Sequence, residues 1–170
     1  MADIVINHRV GTTQGHGGAY NRFDGIPMSW DEHAITSCSG GLGNQSTGSN
    51  FPGVPNIDHT QPFVRKEIIN WLIWLRENLK FQDFRFDFAK GYDANFVKEY
   101  VKQSKPIFSV GEYWDSCSYS SASQLDYNQG AIIVCFYSKI CIVFSICENQ
   151  DEGQFQEESV TFFLRASISY

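Results

Sequence analysis

The sequence predicts an α/β fold built on a parallel sheet, and three observations carry that expectation. Three short apolar runs read as strands: Ala2–Arg9 (ADIVINHR), the stretch DFRFDF from Asp83, and Pro106–Glu112 (PIFSVGE). Helical patterns separate the later runs, and crossovers of that length join parallel neighbours. Each run also finishes in polar or charged side chains, the pattern of a barrel whose active site lies at the C-terminal rim of its strands.

Taken in order, Ala2–Arg9 is rich in Ile and Val and ends in Asn7 and His8. These two polar groups are able either to hold a ligand or to close the strand into a turn. Residues 10–60 contain most of the glycines and little periodicity, as a loop-rich insertion does. Gln61–Lys80 then reads as an amphipathic helix. Val64, Ile68, Leu72, Leu75 and Leu79 recur at three- and four-residue steps, with Arg65, Lys66, Arg76 and Glu77 off that face. In the strand that follows, Phe84, Phe86 and Phe88 share one face while Arg85 and Asp87 share the other. An aromatic side for helices and a charged side turned inward make Asp87 a candidate catalytic carboxylate, although Arg85 and Asp87 also suit a structural ion pair. A second helix is expected near Asn95–Gln103, and the last strand ends on Glu112, followed by Tyr113, Trp114 and Asp115.

The net charge of −6, with 13 Lys and Arg in 170 residues, argues against nucleic acid or an anionic membrane as partner. A neutral polysaccharide suits that balance, and the 15% aromatic content offers surfaces on which sugar rings stack. Cysteines at 38, 117, 135, 141 and 147 show no metal-like spacing, and no charged-then-apolar leader precedes the first strand. The expectation is a reduced, cytosolic protein of undetermined oligomeric state.

The motifs DIVINHR, FRFDFAKG and VGEYWDS resemble three of the four signature regions of the α-amylase family of glycoside hydrolases, and residues 10–59 resemble the loop domain of its plant members. The likeness covers about residues 1–129. It implies a partial (β/α)8 barrel, about its third to fifth strands, with the insertion after the third. It further implies that Asp87 is the nucleophile and Glu112 the general acid/base of a retaining hydrolysis of α-1,4-glucans such as starch and maltooligosaccharides. Arg85 matches the arginine that keeps the nucleophile ionised, His8 and Lys90 match groups that bind glucose hydroxyls, and Trp114 lies beside the acid. Burial against Tyr113 and Trp114, next to another carboxylate, is expected to raise the pKa of Glu112.

For calcium, the resemblance leaves Asn7, Asn56 and the carbonyls of Ser49 and Gly91 as ligands. Ser46 and Asn56 stand where related plant enzymes carry aspartates, so weak binding is expected. After Gln129 the likeness stops. Residues 130–170 run GAIIVCFYSKICIVFSIC and then turn acidic and Gln-rich, which reads as sequence foreign to the family, such as unspliced intron. The block Ala131–Cys147 is at the short limit for a membrane span, and its Ile, Val and Phe favour β structure. The family's fourth signature region, with its histidine and third carboxylate, has no counterpart here. An inactive fragment, or a weak glucan-binding or interaction module, is therefore the alternative to an active hydrolase.

Overall fold

The computed structural model describes residues 1–113. Three parallel strands form one sheet in the order β1 (Ala2–Ile4), β2 (Asp83–Phe86), β3 (Phe108–Gly111). The register sets Asp3 opposite Arg85 and Arg85 opposite Val110. Because side chains alternate, Ala2, Ile4, Phe84 and Phe86 are buried on one face while Asp3 and Arg85 stand on the other. Strand β1 is shorter than the sequence suggests, since pairing with β2 ends at Ile4 and the chain then turns towards the loop region. Phe88 likewise leaves the aromatic face, because β2 stops at Phe86.

Helix α1 (Pro62–Glu77) begins at Pro62, whose fixed φ and missing N–H suit a first turn. It buries Val64, Ile68, Leu72 and Leu75. Leu79, expected on that stripe, lies past the helix end and is 52% exposed. Helix α2 (Ala94–Ser104) starts where the Asp93 carboxylate accepts the Asn95 N–H at 2.7 Å, and it buries Val97, Tyr100 and Val101. The helices pack on each other, with Arg65 paired to Glu99 at 3.0 Å and the Arg76 guanidinium donating to the Ser104 carbonyl. Phe84 and Phe86 join both helices in one core, and each buried ring contributes about 1.5–3 kcal/mol.

Between β1 and α1 lie only short 3-10 turns at His16–Gly18, Glu32–Ala34 and Ser37–Ser39, with isolated bridges such as His8 to Asn56. This segment is nonetheless fastened to the rest, because Phe23, Trp30, Ile35 and Ile57 belong to the same apolar cluster as the sheet. Among the described residues no helix is long and apolar enough to cross a membrane. The apolar block Ala131–Cys147, Trp114 and the cysteines beyond Cys38 lie outside the described residues.

Candidate active site

Both candidate carboxylates emerge just past their strands, and one further backbone bond holds each. The Asp87 N–H donates to the Ile4 carbonyl at 3.0 Å, and the Glu112 N–H to the Phe86 carbonyl at 2.8 Å. Between them the chain turns at Phe88, whose φ of 45° and ψ of 48° are left-handed. A bulky residue held there costs about 1–3 kcal/mol, so its surroundings must enforce it. They do so through Glu112: the Phe88 N–H donates to its Oε2 at 3.2 Å, and the Ala89 N–H to its carbonyl at 2.7 Å.

Arg85 lies among three carboxylates. Its Nη2 is 2.5 Å from Glu112 Oε1, and its Nη1 is 2.6 Å from Asp3 and 3.4 Å from Asp87. Partial burial lifts the Asp87 carboxyl to about 6, with a hydrogen bond to the Glu112 carboxyl and that group's charge acting in the same direction, while Arg85 opposes them. Arg85 serves Glu112 and Asp3 more closely than Asp87, so the lifted group is the one expected to be held ionised.

His8 and Lys90 flank the turn. The His8 ring stacks on Phe51 at 4.1 Å, Phe51 meets Phe88 edge-on at 5.6 Å, and Lys90 Nζ lies 5.7 Å from the Phe88 ring centre. Burial lowers the pKa of His8. A cavity of about 500 Å³, lined in part by Tyr20, Phe51 and Asn56, opens beside this stack.

The other side of the rim is uncharged. Asn7 Nδ2 donates to Asn56 Oδ1 at 3.1 Å, the same oxygen accepts the Phe51 N–H at 3.0 Å, and Asn56 Nδ2 donates to Ser39 Oγ at 2.6 Å. Gly91 abuts them so closely that a Cβ there would lie 1.8 Å from Asn7 Oδ1. Ser46 Oγ donates to the Gly91 carbonyl at 3.4 Å, and the Ser49 N–H to the Lys90 carbonyl at 2.9 Å. Asn7 and Asn56 thus meet through one amide hydrogen bond beside Gly91, Asn56 spends its remaining polar atoms on Phe51 and Ser39, and the set holds no carboxylate. A hard divalent cation asks for several oxygens, preferably charged, and these residues fit it poorly.

His59, unremarked in the sequence, locks this junction. Its Nε2 is 2.9 Å from the Ile6 carbonyl, which can only accept, so Nε2 carries the proton and Nδ1 accepts from the Tyr100 hydroxyl at 2.6 Å. Full burial drives its pKa down to about 4. Asp3 was also unremarked; only the strand register reveals that it faces Arg85.

The chain is 73% identical over 129 residues to probable alpha-amylase 2 of Arabidopsis thaliana, covering 76% of this chain and 31% of that protein. This stretch belongs to the plant α-amylases. Alpha-amylase 3, chloroplastic, of Arabidopsis thaliana is 44% identical over 134 residues, covering 77% of this chain and 15% of that protein. An alpha-amylase of Bacillus licheniformis is 26% identical over 100 residues, covering 56% of this chain and 18% of that protein. A solved alpha-amylase from Malbranchea cinnamomea superposes with a TM-score of 0.42 at 18% identity, covering 65% of this chain and 24% of that one. No family model matches the chain. The chain thus spans less than a third of the α-amylase with which it shares most identity in this group. The cytosolic expectation is overturned by the plant relative named as chloroplastic. Reduced cysteines suit more than one compartment, so they could not decide the question.

Proposed function

We propose that residues 1–113 form part of a (β/α)8 barrel carrying the reacting pair of an α-amylase-type glycosidase, which cleaves internal α-1,4 bonds of glucans with retention of configuration. The observation that carries this reading is that Asp87 and Glu112 leave adjacent parallel strands at the same end and meet over one arginine. Asp87 attacks the anomeric carbon while Glu112 protonates the leaving oxygen and the glycosidic C–O bond breaks. Glu112 then takes a proton from water, which attacks the same carbon and releases Asp87. His8 and Lys90 hold glucose hydroxyls, Trp114, two residues after Glu112 in the sequence, is a further substrate-binding candidate, and the cavity beside Phe51 accommodates further units of the chain.

In the resting arrangement Asp87 carries the raised pKa, through burial first and Glu112 next, while Glu112 is held against Arg85 at 2.5 Å. Turnover needs a proton on Glu112, so entry of a sugar must loosen that ion pair. The ion pair also favours a second reading, a glucan-binding module that keeps the rim without turnover.

Reducing-sugar release from soluble starch by the 170-residue chain, with Glu112→Gln and Asp87→Asn as controls, separates the two. Slow release, far below that of a complete plant α-amylase and abolished in both variants, supports the hydrolase. Retention on immobilised starch with no release supports the binding module. Release that survives Glu112→Gln would sink the proposed pair. Calcium is proposed only as a weak ligand of the Asn7–Asn56 junction.

A further inference from the structure

The carboxyl pair does not share its arginine evenly. Asp87 and Glu112 are both drawn to this one guanidinium, and two bare anions gathered around it repel, which favours a single proton between them. Glu112 is built to be the anion: Oε1 receives Arg85 Nη2 at 2.5 Å and Oε2 receives the Phe88 N–H at 3.2 Å. Arg85 offers Asp87 its Nη1 at 3.4 Å, and Asp3 occupies that same nitrogen at 2.6 Å. The placement of Asp3 is fixed by the sheet, since it is the register partner of Arg85 across the β1–β2 ladder.

We propose that Asp3 is a positioning residue of the carboxyl pair: by engaging Nη1 from the neighbouring strand it draws the guanidinium away from Asp87 and leaves the shared proton there rather than on Glu112. This rests on the reading of Asp87 and Glu112 as the reacting pair, but it concerns their resting state and its test needs no turnover. Among the described residues, the charged and titratable groups around Asp87 are Asp3 from β1, Arg85 from β2 and Glu112 beyond β3. Lys90 and the Tyr92 phenol follow in the turn after it. Burial and the Asp87 charge keep that phenol neutral, which leaves Asp3 as the group whose removal frees Arg85. In the reaction, Asp3 would set how far the proton must be coaxed towards Glu112 when sugar enters. Its loss would favour an ionised nucleophile.

The test is a carbon-13 titration of labelled Asp and Glu carboxyls in the full 170-residue chain, with Asp87→Asn and Glu112→Gln used to assign the two resonances. In the native chain Asp87 should titrate above Glu112. In Asp3→Asn the Asp87 titration should fall by about one pH unit or more, the size expected when an opposite charge gains contact. Asp3→Glu, which keeps the charge, should return it to the native position. Glu112 titrating above Asp87 in the native chain would overturn the proposal, and that measurement requires no variant of Asp3 to fold. So would an unmoved Asp87 in an Asp3→Asn chain that retains its circular dichroism, or an Asp3→Glu chain that titrates like Asp3→Asn. Absence of starch hydrolysis would count against the proposed function and leave this titration intact.

Discussion

The two sides of the strand rim solve opposite problems with residues only a few positions apart. On one side Asp3, Arg85, Asp87 and Glu112 crowd four ionisable groups into partly exposed space, and the Asp87 carboxyl is pushed up to about 6. On the other, Asn7, Asn56, His59 and Tyr100 are buried, linked pairwise by side-chain hydrogen bonds and tied to the backbone of Ile6 and Phe51. The charged side can change state when a ligand arrives. The neutral side gains nothing by changing, and it anchors the loop region to the sheet. Function and fastening are thus separated across the same strand ends.

The largest expected effect falls on the charged side. Glu112→Gln should reduce any starch hydrolysis by at least about a hundredfold, because it removes the group that protonates the leaving oxygen, yet leave the melting temperature near its native value. A thermal melt run with the activity assay checks both halves of that statement. His59→Phe should do the reverse. It leaves the Ile6 carbonyl and the Tyr100 hydroxyl without their partner and should cost about 3 kcal/mol in urea unfolding. Gly91→Ala should also act on the neutral side, costing about 1–3 kcal/mol, since its Cβ would fall 1.8 Å from Asn7 Oδ1.

The pH dependence sharpens the contrast further, because the two sides have opposite signs. His59 drops from an ordinary 6.5 to about 4 on folding, so the unfolded chain binds the extra proton between those values. Its contribution is fully present above about 6.5 and is lost as pH falls towards 4, about 3 kcal/mol in all. Asp87 rises from 3.8 to about 6, so its contribution is present at low pH and is lost as pH rises through 6. Across about pH 4–6 the two oppose each other. Asp87→Asn should therefore unmask a stability that climbs with pH, and His59→Phe one that declines; equal slopes in both variants would remove the contrast. The smallest effect is expected from calcium. With no carboxylate among its candidate ligands, millimolar calcium should raise the melting temperature by less than about 2 °C. A saturable shift of several degrees at micromolar calcium would show that the neutral side does hold an ion.

Much of the architecture was legible because it depends on local pattern. The 3.6-residue stripe from Val64 to Leu75 and the alternation through Phe84 and Phe86 each fix a face without reference to the rest of the chain. Asp87 and Glu112 were legible as carboxylates ending strands. The assignment of the proton was not, since it turns on the competition of Asp3 for Arg85, and that depends on a register between distant segments. His59 was hidden for the same reason: nothing near it in the chain announces Ile6 or Tyr100 as partners. The left-handed Phe88 breaks a local rule, and only the Glu112 acceptor explains why it is tolerated.

The register also governs the order in which such a molecule assembles. Asp3 and Arg85 are 82 residues apart, so the β1–β2 ladder cannot form until the segment bearing β2 has been made. At about 5–20 residues per second, a ribosome separates the two strands by several seconds. Closing so long a loop before any pairing rewards it also makes the search slow. Synthesis speed and chaperone access during that interval would thus govern the yield of folded protein, and slowing translation just after the β2 codons would lengthen the time in which β1 can find its neighbour before more chain emerges.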